Sequence, residues 1–339
     1  YAPLLHGCTT VIYEGKPVGT PDAGAFWRVI ADHRVKALFT APTAIRAIRR
    51  EDPEGLCFAD YDCTSLQHLF LAGERCDPDS LHWAEALLGV PVIDHWWQTE
   101  TGWSIAANYP GIEMLKVKPG SSGLPAPGYE IAILDPQGKS VPPGQMGAIC
   151  IRLPMPPSCL GGLWQAEERF KQSYLDDYPG YYSTGDAGYL DEEGYVYVMA
   201  RTDDVINVAG HRLSTGAIEE VLAQLPDSAE CAVVGSVDPV KGQVPLGFLV
   251  LKNGVTRPHD VIIAEAKSLV REQIGAIAAL KALCIVQRLP KTRSGKILRA
   301  TMRAIADDKP WKMPATIDDP AILDEISQCL QASQNAKHR

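Results

Sequence analysis

Tyr182-Ser183-Thr184-Gly185-Asp186, then Asp191-Glu192-Glu193-Gly194-Tyr195, then Ala200-Arg201-Thr202-Asp203-Asp204-Val205-Ile206-Asn207-Val208-Ala209-Gly210-His211-Arg212: these three blocks decide how the chain is read. In the first, Asp186 follows directly on a glycine turn, where its carboxylate can accept hydrogen bonds from two vicinal ribose hydroxyls. In the third, Arg201 and Arg212 offer planar forks suited to phosphate or carboxylate oxygens. Each feature alone also fits a β-hairpin turn with surface ion pairs. The ordered whole is harder to obtain by chance.

Working outward, the region before these blocks alternates helix and strand. Phe26, Val29 and Ile30 repeat at helical spacing between Asp22 and His33, and Ala37-Leu38-Phe39 reads as a strand. Pro42 can open a helix carrying Ile45 and Ile48. Leu69 to Leu71 and Val90 to Asp94 read as strands around a helix from Ser80 to Leu88. This is the tail of a layered, largely parallel sheet. After Gly102, short β segments (Glu130 to Leu134, Met146 to Leu153, Tyr195 to Met199) are separated by Pro and Gly, which predicts a small β-barrel or a distorted sheet. From Ser214 the expected order is helix 217–224, strands 229–235 and 246–251, helix 259–274, strand 283–287 and helix 297–306, a compact α+β unit. The expected division is 1–202, 203–308, and a tail 309–339 with one amphipathic helix from Ala321 to Leu330. The fold class is therefore α/β followed by α+β.

Composition narrows the function classes. A chain of 339 residues can hold more than one core, and its 46% hydrophobic and 22% charged residues are those of a globular protein. A net charge of −9 argues against a long polyphosphate partner. The nine cysteines form no Cys-x-x-Cys pair, so neither a zinc ribbon nor a redox dithiol is indicated, and reduced thiols are expected. No apolar run approaches the length of a membrane helix. Gly138-Lys139-Ser140 ends like a phosphate-binding loop, but Ile133 stands where its first glycine belongs, so a turn is expected. The dinucleotide Gly-x-Gly-x-x-Gly, the His-Glu-x-x-His helix and the Gly-x-Ser-x-Gly elbow are absent. The chain opens at Tyr1 inside an apolar stretch, which reads as a cut end.

Together with Asp94-His95-Trp96-Trp97-Gln98-Thr99-Glu100-Thr101-Gly102 and Leu289-Pro290-Lys291-Thr292-Arg293-Ser294-Gly295-Lys296, the three blocks resemble the signature of the adenylate-forming superfamily, in order and spacing. That resemblance implies ATP, Mg²⁺ and coenzyme A as cofactors and cosubstrates. It implies Glu100 as the Mg²⁺ ligand, Thr99 near the phosphates, and Asp186 and Arg201 at the ribose. It further assigns Gly73, Glu74, Asp94, His95, Trp96, Gln98 and Arg212 to the nucleotide, with Lys296, Arg212 and Thr99 as catalytic residues. Lys296 would bridge substrate carboxylate and nucleotide, and could be a target of lysine acetylation and deacetylation. Asp203 or Asp204 matches the hinge of a mobile small domain. Ala209 and Gly210 match the pantetheine channel, and Arg271 matches the position that contacts the coenzyme A nucleotide.

The acyl substrate is suggested by Trp96-Trp97, which looks like the short-chain branch, where the second Trp closes the acyl pocket. Ala72 stands where acetyl-activating relatives usually carry Val, and Trp103 follows Gly102 as in propionyl-CoA synthetases. Two fewer methyl carbons make room for about one substrate methylene, worth ~1–3 kcal/mol of discrimination. The expectation is a ligase preferring propionate, with acetate or butyrate also accepted. An adenylating enzyme with a non-CoA acceptor and a nonenzymatic truncated binding module are the alternatives. Two departures stand out: Arg75 follows Glu74 where many relatives have Pro, and Ala209 replaces a frequent Ser. The superfamily's Ser/Thr/Gly-rich phosphate loop has no counterpart here, so this chain alone is expected to be inactive. The expected compartment is the cytoplasm, or the mitochondrial matrix if a signal precedes the chain.

Overall fold

The computed structural model describes residues 2–335 except Gly210 and Ser294; the side chains of Ala2, Asp203, Arg212 and residues 332–335 lie outside what it describes. After a single helical turn α1 (Ala2–Leu5) the first layered region begins with α2 (Ala25–His33), β1 (Ala37–Thr40), α3 (Pro42–Glu51), β2 (His68–Leu71), α4 (Pro78–Leu88) and β3 (Val92–Asp94). β1, β2 and β3 form a parallel sheet in that order. Local chemistry sets the helix starts. Pro42 and Pro78 each sit in a first turn, where no amide donor is needed, and Asp77 caps α4 by accepting from Ser80 N at 2.8 Å. Ile45 of α3 and Leu81 of α4 pack with Leu69, Leu71 and Val92 on one face of the sheet. The other face carries Phe39, 60% exposed. α2 starts at Ala25, three residues later than its periodicity suggests, because Asp22 ties back Gly24 N at 2.8 Å as a turn.

The chain then makes two open sheets. β4 (Trp96–Trp97), β5 (Ser104–Ala107) and β6 (Leu124–Pro125) form one antiparallel sheet. β7 (Ile131–Leu134), β8 (Gly147–Arg152), α5 (Glu167–Tyr174), β9 (Tyr181–Leu190) and β10 (Val196–Arg201) follow, and their strands pair in the order β10-β9-β8-β7. The expected small β-barrel is thus corrected to open sheets. Closure would need an end-to-end pairing that none of the described strands makes, and a four-stranded sheet of this kind instead buries its face against a second layer. That layer is supplied by Trp96, Ile105 and Ala106, which pack on Ile133, Ile149, Ile151, Tyr182 and Val196. Gly138-Lys139-Ser140 lies in the turn after β7, where the Asp135 carboxylate accepts from Gln137 N and Lys139 N.

Beyond Arg201 a separate α+β core assembles from β11 (Ile206–Val208), β12 (His211–Leu213), α6 (Thr215–Ala223), β13 (Ser228–Asp238), β14 (Gly242–Leu251), α7 (His259–Gln273), β15 (Ala282–Ile285), α8 (Arg299–Ala306) and α9 (Ile322–Asn335). Its sheet runs β12-β11-β14-β13, with β15 parallel to β14 on the other side. Strand alternation divides two helical layers. Val233 and Leu249 face α6 and α7, whereas Val234, Phe248 and Val250 face Met302 of α8 and Leu323, Ile326 and Leu330 of α9. The helix expected near the C-terminus therefore completes a core. No helix of the described residues is long and apolar enough to cross a membrane.

Candidate active site

A cleft of about 570 Å³ opens where the C-terminal ends of β2 and β3 meet β4, β9, β10 and the last α+β unit. Its walls collect Gly73, Glu74, Asp94, His95, Trp96, Trp97, Gln98, Thr99, Glu100, Asp186, Arg201, Asp204 and Lys296, residues scattered over most of the chain. The end of a parallel sheet is where such a fold offers open backbone and loop side chains to a ligand.

Asp186 is held by three side chains on this wall. It lies on β9, 7% exposed, and its Oδ2 accepts from Gln98 Nε2 at 2.7 Å and Trp96 Nε1 at 3.2 Å, while Oδ1 lies 3.5 Å from Arg201 Nη1. Burial raises its pKa, opposed by Arg201, Gln98 and Trp96. Gln98 is oriented in turn: Nε2 also donates to Thr184 O at 2.7 Å, and Oε1 accepts from Tyr182 at 3.1 Å. Gly185 lets Arg201 approach, since its φ is +69° and a Cβ there would stand 2.7 Å from Arg201 Nη2.

Glu100 projects from a 3₁₀ turn, Thr99–Thr101, whose ends are fixed by side chains. Thr101, fully buried, accepts from Gln98 N at 3.1 Å. The Glu100 carboxylate accepts from Tyr174 of α5 at 2.9 Å, and the Tyr174 ring stacks on Tyr182 with centroids 5.3 Å apart. Burial and then Glu100 raise the Tyr174 pKa, so it remains a donor.

Asp94 and His95 occupy the floor. Asp94 accepts from Cys76 N at 3.1 Å, and burial pushes its carboxyl up to about 7 despite that bond and the nearby Arg75. His95 packs against Phe39 and Phe70, burial lowers its pKa, and its Nδ1 has no protein partner among the described residues. Trp97, 42% exposed, lines the cleft; Ala72 is buried at the end of β2 and is not on the wall.

Lys296 enters from the opposite side on a short hairpin, held by Thr292 N to Lys296 O at 2.8 Å and by Lys296 N to Thr292 Oγ1 at 3.1 Å. Several residues to which the sequence assigned no role hold this side in place. Arg46 of α3 pairs with Glu74 and Asp77 and reaches Glu230 of β13; burial opposes its charge, and the three carboxylates more than offset this, raising its pKa. Arg75 pairs with Glu220 of α6 at 2.9 Å, and Arg299 with Glu219 at 2.8 Å. The one local signal for Arg46 is a cation between Ile45 and Ile48, both fully buried. The remaining pairs join distant segments, and no local pattern announces them.

Not all of the expected residues are on this wall. Ala209, with φ +49°, and Arg271, exposed in the last turn of α7, do not line the cleft. Asp204 pairs with Arg303 of α8, and Asp203 sits in the same 3₁₀ turn. Gly210 and the Arg212 side chain fall outside the described residues.

A family model described as AMP-binding enzyme matches residues 1–159, and one described as AMP-binding enzyme C-terminal domain matches 217–296. The chain is 52% identical to the mitochondrial acyl-CoA synthetase short-chain family member 3 of Mus musculus, covering 98% of this chain and 49% of that protein. It is 40% identical to the propionate–CoA ligase of Salmonella typhimurium, covering 98% and 53%. Among solved structures it resembles the anthranilate CoA ligase AuaEII in complex with anthranoyl-AMP, with a TM-score of 0.77 at 28% identity, covering 89% of this chain and 55% of that one. The chain thus spans about half the length of the curated relatives it matches.

Proposed function

Because the chain belongs to the AMP-binding enzyme family, we propose that it is part of an ATP-dependent ligase that activates a short-chain carboxylic acid, propionate by preference, and transfers the acyl group to coenzyme A. The observation that carries this reading is the convergence of Glu100, Asp186, Arg201 and Lys296 on one cleft from four separate segments. A carboxylate and an arginine for the ribose, a lysine for the phosphate and a carboxylate for a metal are the set that adenylation requires.

In the first step a substrate carboxylate oxygen attacks the α-phosphorus of ATP, the bond to pyrophosphate breaks, and acyl-AMP forms. Lys296 neutralises charge on the entering carboxylate and the α-phosphate, while Arg201 and Asp186 hold the nucleoside end. In the second step the coenzyme A thiolate attacks the acyl carbonyl and AMP leaves. Mg²⁺ fits as a companion of ATP: the Glu100 carboxylate, a hard oxygen donor, stands on the cleft wall. Glu100 would therefore hold it together with phosphate oxygens, as Mg²⁺ is ordinarily held beside nucleotides. When bound, it supplies positive charge at the phosphates.

Trp97 at the cleft wall favours a short acyl chain of two to four carbons, the range that Ala72 also suggests. The segment 203–308 is proposed as a mobile lid hinged at Asp203 or Asp204, with Gly210, Ala209 and Arg271 toward coenzyme A. Lys296 is exposed, which suits acetylation as an off-switch, since a neutral side chain loses its phosphate partner. The decisive test is ATP–pyrophosphate exchange by the full-length protein. Exchange stimulated most by propionate is expected; absence of exchange with acetate, propionate and butyrate alike would sink the proposal.

A further inference from the structure

Acidic and basic groups from two parts of the molecule meet at one end of the cleft, whose lining includes Arg46, Glu74, Asp77 and Glu230. Glu74 and Asp77 come from the loop after β2, Glu230 from β13, and Lys291 from the base of the Lys296 hairpin. Arg46 stands among them, its side chain only 13% exposed. Nη2 pairs with Glu74, Nη1 lies 3.5 Å from Asp77, and Nε lies 3.7 Å from Glu230. Lys291 pairs with the same Glu230 carboxylate. The Thr43 hydroxyl, one helical turn from Arg46 on α3, accepts from Arg46 Nη2 at 3.3 Å and lies 3.4 Å from the carbonyl of Gly295, next to Lys296.

We infer that Arg46 is a positioning residue for adenylation, a cation that bridges the nucleotide-side loop at Glu74 to the strand and hairpin that present Lys296. The inference rests on the adenylating reading above and adds the device that seats its lysine. The charge balance explains why a cation is needed. Glu74 and Asp77 on one side face Glu230 on the other, three partly buried carboxylates opposed by Arg46 and Lys291. Without Arg46, the two sides of the junction repel each other through a medium of low polarisability, where like charges interact strongly. The Lys296 hairpin then loses its seat.

The step affected is the attack on the α-phosphorus, because that step needs the lysine charge at the phosphate; thiol attack on preformed acyl-AMP releases no pyrophosphate and does not. In the full-length enzyme, Arg46→Met should lower propionate-dependent ATP–pyrophosphate exchange by about 10²-fold, the size typical of a slight misplacement of a reacting group. Conversion of synthetic propionyl-AMP and coenzyme A to thioester should proceed at the wild-type rate. Adding Glu230→Gln to Arg46→Met removes the facing carboxylate and should restore much of the exchange. A role confined to general stability would instead lower both half-reactions alike. Should Arg46→Met fail to fold, Glu230→Lys, which sets a third cation at the junction from the other side, should show the same selective loss. Equal losses in both half-reactions, undiminished exchange, or no rescue by Glu230→Gln would overturn the inference. Absence of exchange in the wild-type enzyme would instead overturn the proposed function.

Discussion

Replacing Gly185 by alanine tests whether the Arg201 guanidinium must lie where it does. At φ +69° an alanine adopts the left-handed region at a cost of roughly 1–2 kcal/mol. Its Cβ would also stand 2.7 Å from Arg201 Nη2 and 3.1 Å from Cζ. The guanidinium ends a long side chain that is 55% exposed, so it can be displaced from Asp186. The exposed ion pair itself contributes little. What is lost is the placement of a charged donor at the nucleotide, worth about 1.5–3 kcal/mol for a hydrogen bond to a charged group, or roughly 10–100-fold in affinity. Gly180 supplies the control: its φ is +86° and nothing lies within 4 Å of a Cβ built there. Gly185→Ala and Gly180→Ala should lower the melting temperature of the full-length protein similarly, by at most about 2 °C per kcal/mol in a protein larger than 250 residues. Only Gly185→Ala should weaken ATP binding in a calorimetric titration. Equal ATP affinities in the two variants would refute the assignment of Arg201 to the nucleotide.

Two further substitutions probe the frame of the site. Asp94, held up at about 7 by burial against an ordinary 3.8, keeps a proton in the folded state that the unfolded chain releases. Its contribution to stability is therefore present below about pH 4 and is lost as pH rises to about 7, with a slope of up to about 1.4 kcal/mol per pH unit. Asp94→Asn keeps an acceptor for Cys76 N and should remove that slope, leaving the variant more stable than wild type at pH 8 and nearly equal at pH 4 in urea unfolding; parallel profiles would contradict it. Thr101→Val strips the buried hydroxyl that accepts from Gln98 N and lies 2.9 Å from Trp103 O. A loss of about 1–3 kcal/mol is expected, together with a higher Mg²⁺ requirement for exchange because Glu100 rides on this turn, and unchanged melting and Mg²⁺ dependence would refute it.

What could be read from the sequence divides along a physical line. Asp186 and Arg201 face each other across one hairpin, β9 to β10, and Trp96, Gln98 and Glu100 follow one another on a single segment. Groups so close in the chain have relative positions fixed by local geometry, so their pattern survives in the sequence. Periodicity also located most helices and strands, because burial of one face imposes it. It was silent on closure: the short strands after Gly102 alternate as barrel strands would, yet whether a sheet closes depends on pairings between distant strands, and here two open sheets stack instead. Arg46 marks the same limit at the site. Its partners Glu74, Asp77 and Glu230 become neighbours only once β13 lies against α3, and a cation in a helix carries no local sign of which carboxylates it will meet. The residues that touch the nucleotide can thus be proposed from motifs, whereas the residues that seat Lys296 had to be found from the packing.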